Sequence, residues 1–225
     1  MMRHIKNLSD KKKESDMMNI SKETIWFITK TLSFAVLVLL ILFTGTGYAT
    51  ASTPAEEWNR TYEMSGITSV ESFQQTADSG YIIAGNTRSN AFVLKTGPTG
   101  SEQWNITFGR KFIDNRAVSV LQTSDGGYLI AGSTSTYRDN SPDIWLIKVS
   151  PQGQEQWNLT LEGTGYEEMV FVQQTTDGGY IIIGNTDSYG AGSFDIWFVK
   201  IDSNGNMQWN NTFGGTGQDW AYSVS

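Results

Sequence analysis

Four Asn-x-Thr triplets, at Asn59, Asn105, Asn158 and Asn210, carry no proline in the middle position and are acceptors for N-linked sugar wherever an exported chain meets a glycosyl transferase. The plainer reading is that Asn and Thr fill the polar face of a strand and were copied with it. Carboxylates form a second set. Asp114, Glu167, Glu168 and Asp219 fall in connecting loops; brought together in a ring they would attract a divalent cation such as calcium, or supply the two carboxylates of a glycosidase. Glu167 and Asp219 are the metal candidates of that set, against the commoner role of solvated loop acids. Asp202–Asn206 (Asp-Ser-Asn-Gly-Asn) begins like a calcium loop, but no bidentate Glu follows at the right distance, so it reads as a turn. Asp78, Asp125 and Asp177 stand in hairpin turns, where local turn chemistry explains them. Asp143 and Asp195 precede Lys148 and Lys200 by five residues and read as ties between neighbouring sheets; at the first such place Lys95 keeps the cation but Asn90 replaces the acid.

Other chemistry is excluded. The chain has no Cys, which removes disulfides, thiolate nucleophiles and thiolate-held metals. Its single histidine, His4, lies in the N-terminal segment, so the rest has no imidazole for a Ser-His-Asp triad or a His-ligated metal.

Those residues sit on a unit that repeats. Trp-Asn-x-Thr recurs at Trp58, Trp104, Trp157 and Trp209, with spacings of 46, 53 and 52 residues. Gln-Thr-x-Asp-(Gly/Ser)-Gly-Tyr recurs at Gln75–Tyr81, Gln122–Tyr128 and Gln174–Tyr180, and an apolar run closing on lysine at 91–95, 143–148 and 195–200. Each unit reads as four short strands. Residues 117–123 lead through Ser-Asp-Gly-Gly into 128–134, a polar loop follows, and 144–149 and 155–161 are joined by a turn. The third strand is apolar on both faces and must be covered on both. Four-stranded units of about 50 residues predict an all-β fold, a β-propeller of antiparallel blades at about 67–108, 116–161 and 169–213, with a partial fourth at 218–225. In that arrangement 57–62 is a rim strand closing the ring, and the recurring Trp side chains pack between blades. A β-solenoid is the alternative. Three blades leave the ring incomplete, and the expectation is a fragment of a longer protein.

Residues 1–51 differ in kind. Leu32–Phe43 is an almost wholly apolar run of 12 residues, preceded by Lys11, Lys12, Lys13, Lys22 and Lys30 and followed by Ala49-Thr50-Ala51. This is the pattern of a signal peptide cleaved after Ala51; the alternative is an uncleaved membrane anchor, and both export residues 52–225. Seven of the 16 basic and four of the 23 acidic side chains lie in 1–51, so the remainder carries a net charge of −10. Such a surface repels phosphate backbones and excludes nucleic acid as a natural partner.

The phrase Asp-Gly-Gly-Tyr-(Ile/Leu)-Ile-(Ile/Ala)-Gly, joined to Asp-Ile-Trp-(Leu/Phe)-(Ile/Val)-Lys and Trp-Asn-x-Thr-Phe-Gly-Gly, resembles the tandem propeller repeats (SBBP-type, or "DGGYIIAG" repeats) of archaeal and bacterial secreted or envelope proteins. The match spans 58–225. It departs at Asn90, at Arg110-Lys111 and at Leu161-Glu162-Gly163. The resemblance implies an exported cell-envelope module, secreted or held at the outer face of the membrane. Its role would be non-catalytic binding, adhesion or structure, with a surface protein or glycan as partner. It implies no cofactor and supplies no catalytic residues. The alternative is an enzyme of propeller fold, carbohydrate-active or quinone-dependent.

Overall fold

The computed structural model describes residues 17–19, 57–63, 66–88, 90–109, 113–136 and 141–222. The chain falls into two compact units, Met1–Ser65 and Gly66–Ser225. In the first, β1 (Met17–Asn19) pairs antiparallel with β2 (Thr61–Glu63), Met18 opposite Tyr62. The strand expected over 57–62 is thus a three-residue segment in this short ladder. The apolar run Leu32–Phe43 lies outside the described residues, and among those described no helix is long and apolar enough to cross a membrane.

The second unit is all β: three four-stranded antiparallel sheets, each a meander in chain order. The first holds β3 (Ile67–Gln75), β4 (Tyr81–Thr87), β5 (Ala91–Thr96) and β6 (Glu102–Phe108). The second holds β7 (Ile113–Gln122), β8 (Tyr128–Thr136), β9 (Asp143–Val149) and β10 (Glu155–Leu161). The third holds β11 (Glu167–Gln174), β12 (Tyr180–Thr186), β13 (Asp195–Ile201) and β14 (Met207–Phe213).

The period-2 alternation of side chains explains why the middle strands are apolar throughout. In the second sheet Tyr128, Ile130, Trp145, Ile147 and Val149 point one way, into a core shared with Ile82, Ala84, Ala91 and Val93 of the first. Leu129, Ala131, Ile144 and Leu146 point the other way, into a core shared with Tyr180, Ile182, Trp197, Val199 and Ile201 of the third. The sheets therefore stack face to face, and the second is covered on both sides. At about 1.5–3 kcal/mol per fully buried large side chain, these two cores are the principal source of stability.

Tryptophans at the outer strands extend the seam. Trp104 packs edge-on against Tyr128 (5.7 Å) and donates its indole N–H to the Pro151 carbonyl at 3.0 Å. Trp157 does the same with Tyr180 (6.0 Å) and the Ser203 carbonyl (3.0 Å). Trp209, the third of the series, is 45% exposed.

Candidate functional site

The charges that recur in all three sheets gather at one end, around the hairpin that joins the first two strands of each. There Lys95, Lys148 and Lys200 reach Asp78, Asp125 and Asp177 at 2.9, 2.9 and 3.0 Å. The Lys side chains are almost fully buried and the Asp side chains half exposed. Each ammonium also donates to the carbonyl of the residue after it: Thr96, Val149 and Ile201. Lys148 adds Gln156 Oε1 at 2.9 Å. The lysines do not make the expected ties to neighbouring sheets, and the aspartates serve nearby loops: Asp143 Oδ1 accepts the Gly163 N–H at 3.2 Å, and Asp195 Oδ2 those of Ala191 and Gly192 at 2.8 and 3.1 Å. Each lysine instead clips the turn of its own sheet. The physical reason is reach: Asp and Lys five apart on one strand sit at opposite ends of it, whereas the hairpin Asp meets the Lys end across the ladder.

The turn sequence is built for this clip. Each Asp accepts from the Thr hydroxyl two residues before it and from the backbone N–H two residues after it, at Gly80, Gly127 and Gly179. The first turn glycine supplies a left-handed φ (Gly126 80°, Gly178 82°), and Ser79 takes the same place at 64°. The second is required for closeness: a Cβ on Gly127 would lie 2.4 Å from the Val149 carbonyl and 2.5 Å from Lys148 Nζ.

These contacts hold the carboxyls at about 2. For Asp78 the Thr76 hydroxyl is the main cause, then Lys95. For Asp125, burial pushes upward but is outweighed by Thr123, Lys148 and the Gly127 N–H. For Asp177 the order is Thr175, Gly179 and Lys200. The same charges act across the seam: Tyr128 is pushed up to about 12 by burial and then by Asp78, and Tyr180 by burial and then by Asp125.

At the opposite end the acids behave differently. Glu167 and Asp219 hold corresponding places in successive repeats: the Glu167 N–H donates to the Pro142 carbonyl and the Asp219 N–H to the Phe194 carbonyl, both at 2.8 Å. Glu167 is fully buried, with Oε1 accepting from the Thr186 hydroxyl at 3.0 Å and Oε2 unpartnered among the described residues. Asp219 Oδ2 accepts the Gly215 N–H at 2.8 Å. Glu168 meets Asn185 Nδ2 at 3.4 Å, and Asp114 pairs with Arg116 at 3.2 Å. Among the described residues no three Asp, Glu or His side chains converge as a metal site. Asp202 is a turn acid: Oδ1 accepts the N–H groups of Asn204 and Asn206 at 2.9 and 2.8 Å. The Asn206 side chain and N–H lower its pKa first, with smaller help from the Asn204 N–H and Lys200.

Sequence reasoning missed the residues that join the sheets. Asn86 grips Ala117 of the next sheet through both backbone groups, accepting its N–H (2.8 Å) and donating to its carbonyl (3.1 Å). Asn185 grips Ala221 identically, at 2.8 and 3.2 Å. Glutamine side chains do similar work at the turn end: Gln122 Oε1 accepts the Ala77 N–H and Gln174 Oε1 the Ser124 N–H, both at 2.8 Å. Recurrence of Asn in Gly-Asn-Thr (85–87, 184–186) was the available signal. Around Ala221 and Asn185, with Glu168, Met169, Val170, Trp220 and Tyr222, lies an open groove of about 370 Å³.

No protein family profile matches the sequence, and no curated protein matches it. Among solved structures, a protein of unknown function from Bacteroides caccae resembles it with a TM-score of 0.43 and 15% identity, over 70% of this chain and 50% of that one. The chain thus spans about half the length of that structure.

Proposed function

We propose that the chain is an exported β-propeller repeat module of the cell envelope, of the SBBP type, that binds a surface protein or glycan and catalyses no reaction. Sheets stacked face to face through repeated seams support the propeller architecture. So does the Asn185–Ala221 grip, which holds the chain that follows the third sheet in the way Asn86–Ala117 seats the second on the first.

One observation carries the binding role. At the turn end every recurring charge is consumed by the same clip, while at the loop end the connections 88–90, 137–142 and 187–194 differ in length and composition. The described loop end also exposes aromatic surface, Tyr166 at 37% and Tyr189 at 42%. Specificity belongs where repeats diverge on an unvarying frame. The leader over 1–51 accounts for placement outside the cytoplasm.

The test is twofold. Fractionation of the source cells should find the chain outside the cytoplasm, and the intact protein should bind on a glycan array or to isolated envelope proteins, with binding lost on loop substitution. Hydrolysis of an envelope polysaccharide that disappears in Glu167→Gln would replace this reading with a carbohydrate-active enzyme.

A further inference from the structure

The Asn-x-Thr triplets are the recurring feature that packing of the sheets leaves unexplained. Three of them lie on β6, β10 and β14, edge strands that pair on one side only. Alternation sends Asn105 and Thr107 outward and Trp104, Ile106 and Phe108 toward the next sheet. Asn158 and Asn210 are likewise exposed.

Were packing the constraint, the inward residue between Asn and Thr would recur and the outward pair would drift. At that position the reverse is found, although the inward Trp before each triplet recurs as well. The middle residue changes from Ile106 to Leu159 to Asn211, whereas Asn and Thr return every time. A structural task exists for two of the asparagines: Asn158 Oδ1 accepts the Trp145 indole N–H at 2.9 Å and Asn210 Oδ1 that of Trp197 at 3.3 Å. It does not account for Asn105, because Phe92 stands where those tryptophans would be and Asn105 instead donates to Glu102. Nor does it account for the threonines, since the hydroxyls of Thr107, Thr160 and Thr212 bond to no described group.

The indole bond also orients the amide. It engages Oδ1 and leaves Nδ2, the atom that carries N-linked sugar, pointing away. Nδ2 of Asn158 has no protein partner among the described residues, and that of Asn210 has only the Met207 sulfur at 3.3 Å.

We infer that Asn158 and Asn210, with Asn105 as a third, are N-glycosylation sites on the outer strands of the stacked sheets. This inference rests on the export reading above. The donor is a lipid-linked sugar diphosphate. Nδ2 forms a bond to sugar C1 as the C1–O bond breaks, and the diphosphate leaves with the electron pair. One Nδ2 proton passes to a base of the transferase, and nothing is oxidised or reduced. The carbonyl Oδ1 survives, so the indole bond survives too, and the Thr hydroxyl two residues on is the recognition element.

Peptide mass spectrometry on the full chain purified from its source cells tests this, together with the variants Thr160→Val, Thr160→Ser and Asn158→Gln. The expected result is sugar on Asn158 and Asn210, lost from Asn158 in Thr160→Val and Asn158→Gln, and kept in Thr160→Ser. Thermal unfolding of Thr160→Val should match the parent, because no bond in the fold uses that hydroxyl. Bare asparagines on protein found outside the cytoplasm would overturn the inference and leave export standing. Bare asparagines on protein retained inside would overturn both. Sugar persisting on Asn158 in Thr160→Val would overturn the triplet as its cause.

Discussion

The two ends of each sheet are built from the same residue types to opposite effect. At the turn end a buried lysine, a half-exposed aspartate, a threonine and a close-packed glycine form one clip that appears three times with Lys–Asp distances between 2.9 and 3.0 Å. At the loop end the position that matches across the repeats changes residue: Asn115 and Glu167 accept the matching Thr134 and Thr186 hydroxyls, Asp219 accepts the Gly215 N–H, and Asp114, one residue away, takes Arg116. Repetition marks the places where geometry dictates the residue. Divergence marks the places where geometry leaves it free, and those are the places available to function.

The comparison is broken most severely by removing a clip. Lys148→Ala takes away an ammonium that serves Asp125, the Val149 carbonyl and Gln156, and empties space inside the seam facing the third sheet. A loss of about 2–4 kcal/mol is expected, toward the lower side because Asp125 is half exposed and keeps its other donors. Equilibrium urea unfolding reads it. The control at the loop end is Arg116→Ala, whose side chain is 62% exposed in its pair with Asp114; there the change should stay within about 0.5 kcal/mol. Equal losses in both variants would abolish the distinction between the ends.

Next in size is the asparagine grip. Asn86→Ala leaves the N–H and carbonyl of Ala117, a fully buried residue, without their partners. About 1–3 kcal/mol of stability should be lost. The second sheet offers an internal check, because Ser133 occupies the place held by Asn86 and Asn185. Ser133→Ala should cost well under the Asn86 value in the same unfolding assay.

Much of this architecture was legible. Strand number, the meander within each unit and the two-faced burial of the third strands followed from repeated turn phrases and unbroken apolar runs. What escaped depended on distances that no one-dimensional pattern carries. Lys148 and Asp143 are close in sequence, yet Lys148 meets Asp125, 23 residues away, because antiparallel pairing sets Leu129 opposite Lys148. The register shifts after Val70, Ala117 and Met169, where an extra residue bulges the first strand of every sheet, leave no compositional trace. The acids at the loop end were visible as residues but misplaced: Asp114 stands on β7 and Glu167 and Glu168 on β11 rather than in connecting loops, and only Asp219 lies in one.

Acid titration sharpens the comparison without mutation. Asp78, Asp125 and Asp177 sit at about 2 in the fold, below the ordinary carboxylate value near 3.9. A depressed folded pKa adds stability that is fully present above the unfolded value and disappears as pH falls through the folded one. Stability contributed by the clips should therefore hold from neutrality down to about pH 4 and fall between about pH 4 and pH 2. Asp125→Asn should be less stable at pH 7 and show a shallower fall over that window in pH-dependent thermal unfolding. A fall of unchanged steepness would place the acid sensitivity outside the clips.

The smallest expected change in stability is also the one that bears most on function. Tyr189, in the loop between β12 and β13, is 42% exposed, leans on Trp197 at 5.0 Å and donates its hydroxyl to the Glu162 carbonyl at 2.7 Å. Because the Tyr189 ring is itself largely open to solvent, Tyr189→Ala should lower stability by only about 1 kcal/mol, for one hydrogen bond and partial uncovering of the buried Trp197. If divergent loops carry recognition, the same substitution should weaken binding to the partner found on a glycan array or among envelope proteins, while Lys148→Ala, assayed where it remains folded, should not. Aromatic side chains held by one hydrogen bond and half open to solvent are suited to stacking on a sugar face or filling a protein surface. Binding that is indifferent to Tyr189 but sensitive to the clip would move recognition to the turn end and reverse the assignment of the two ends.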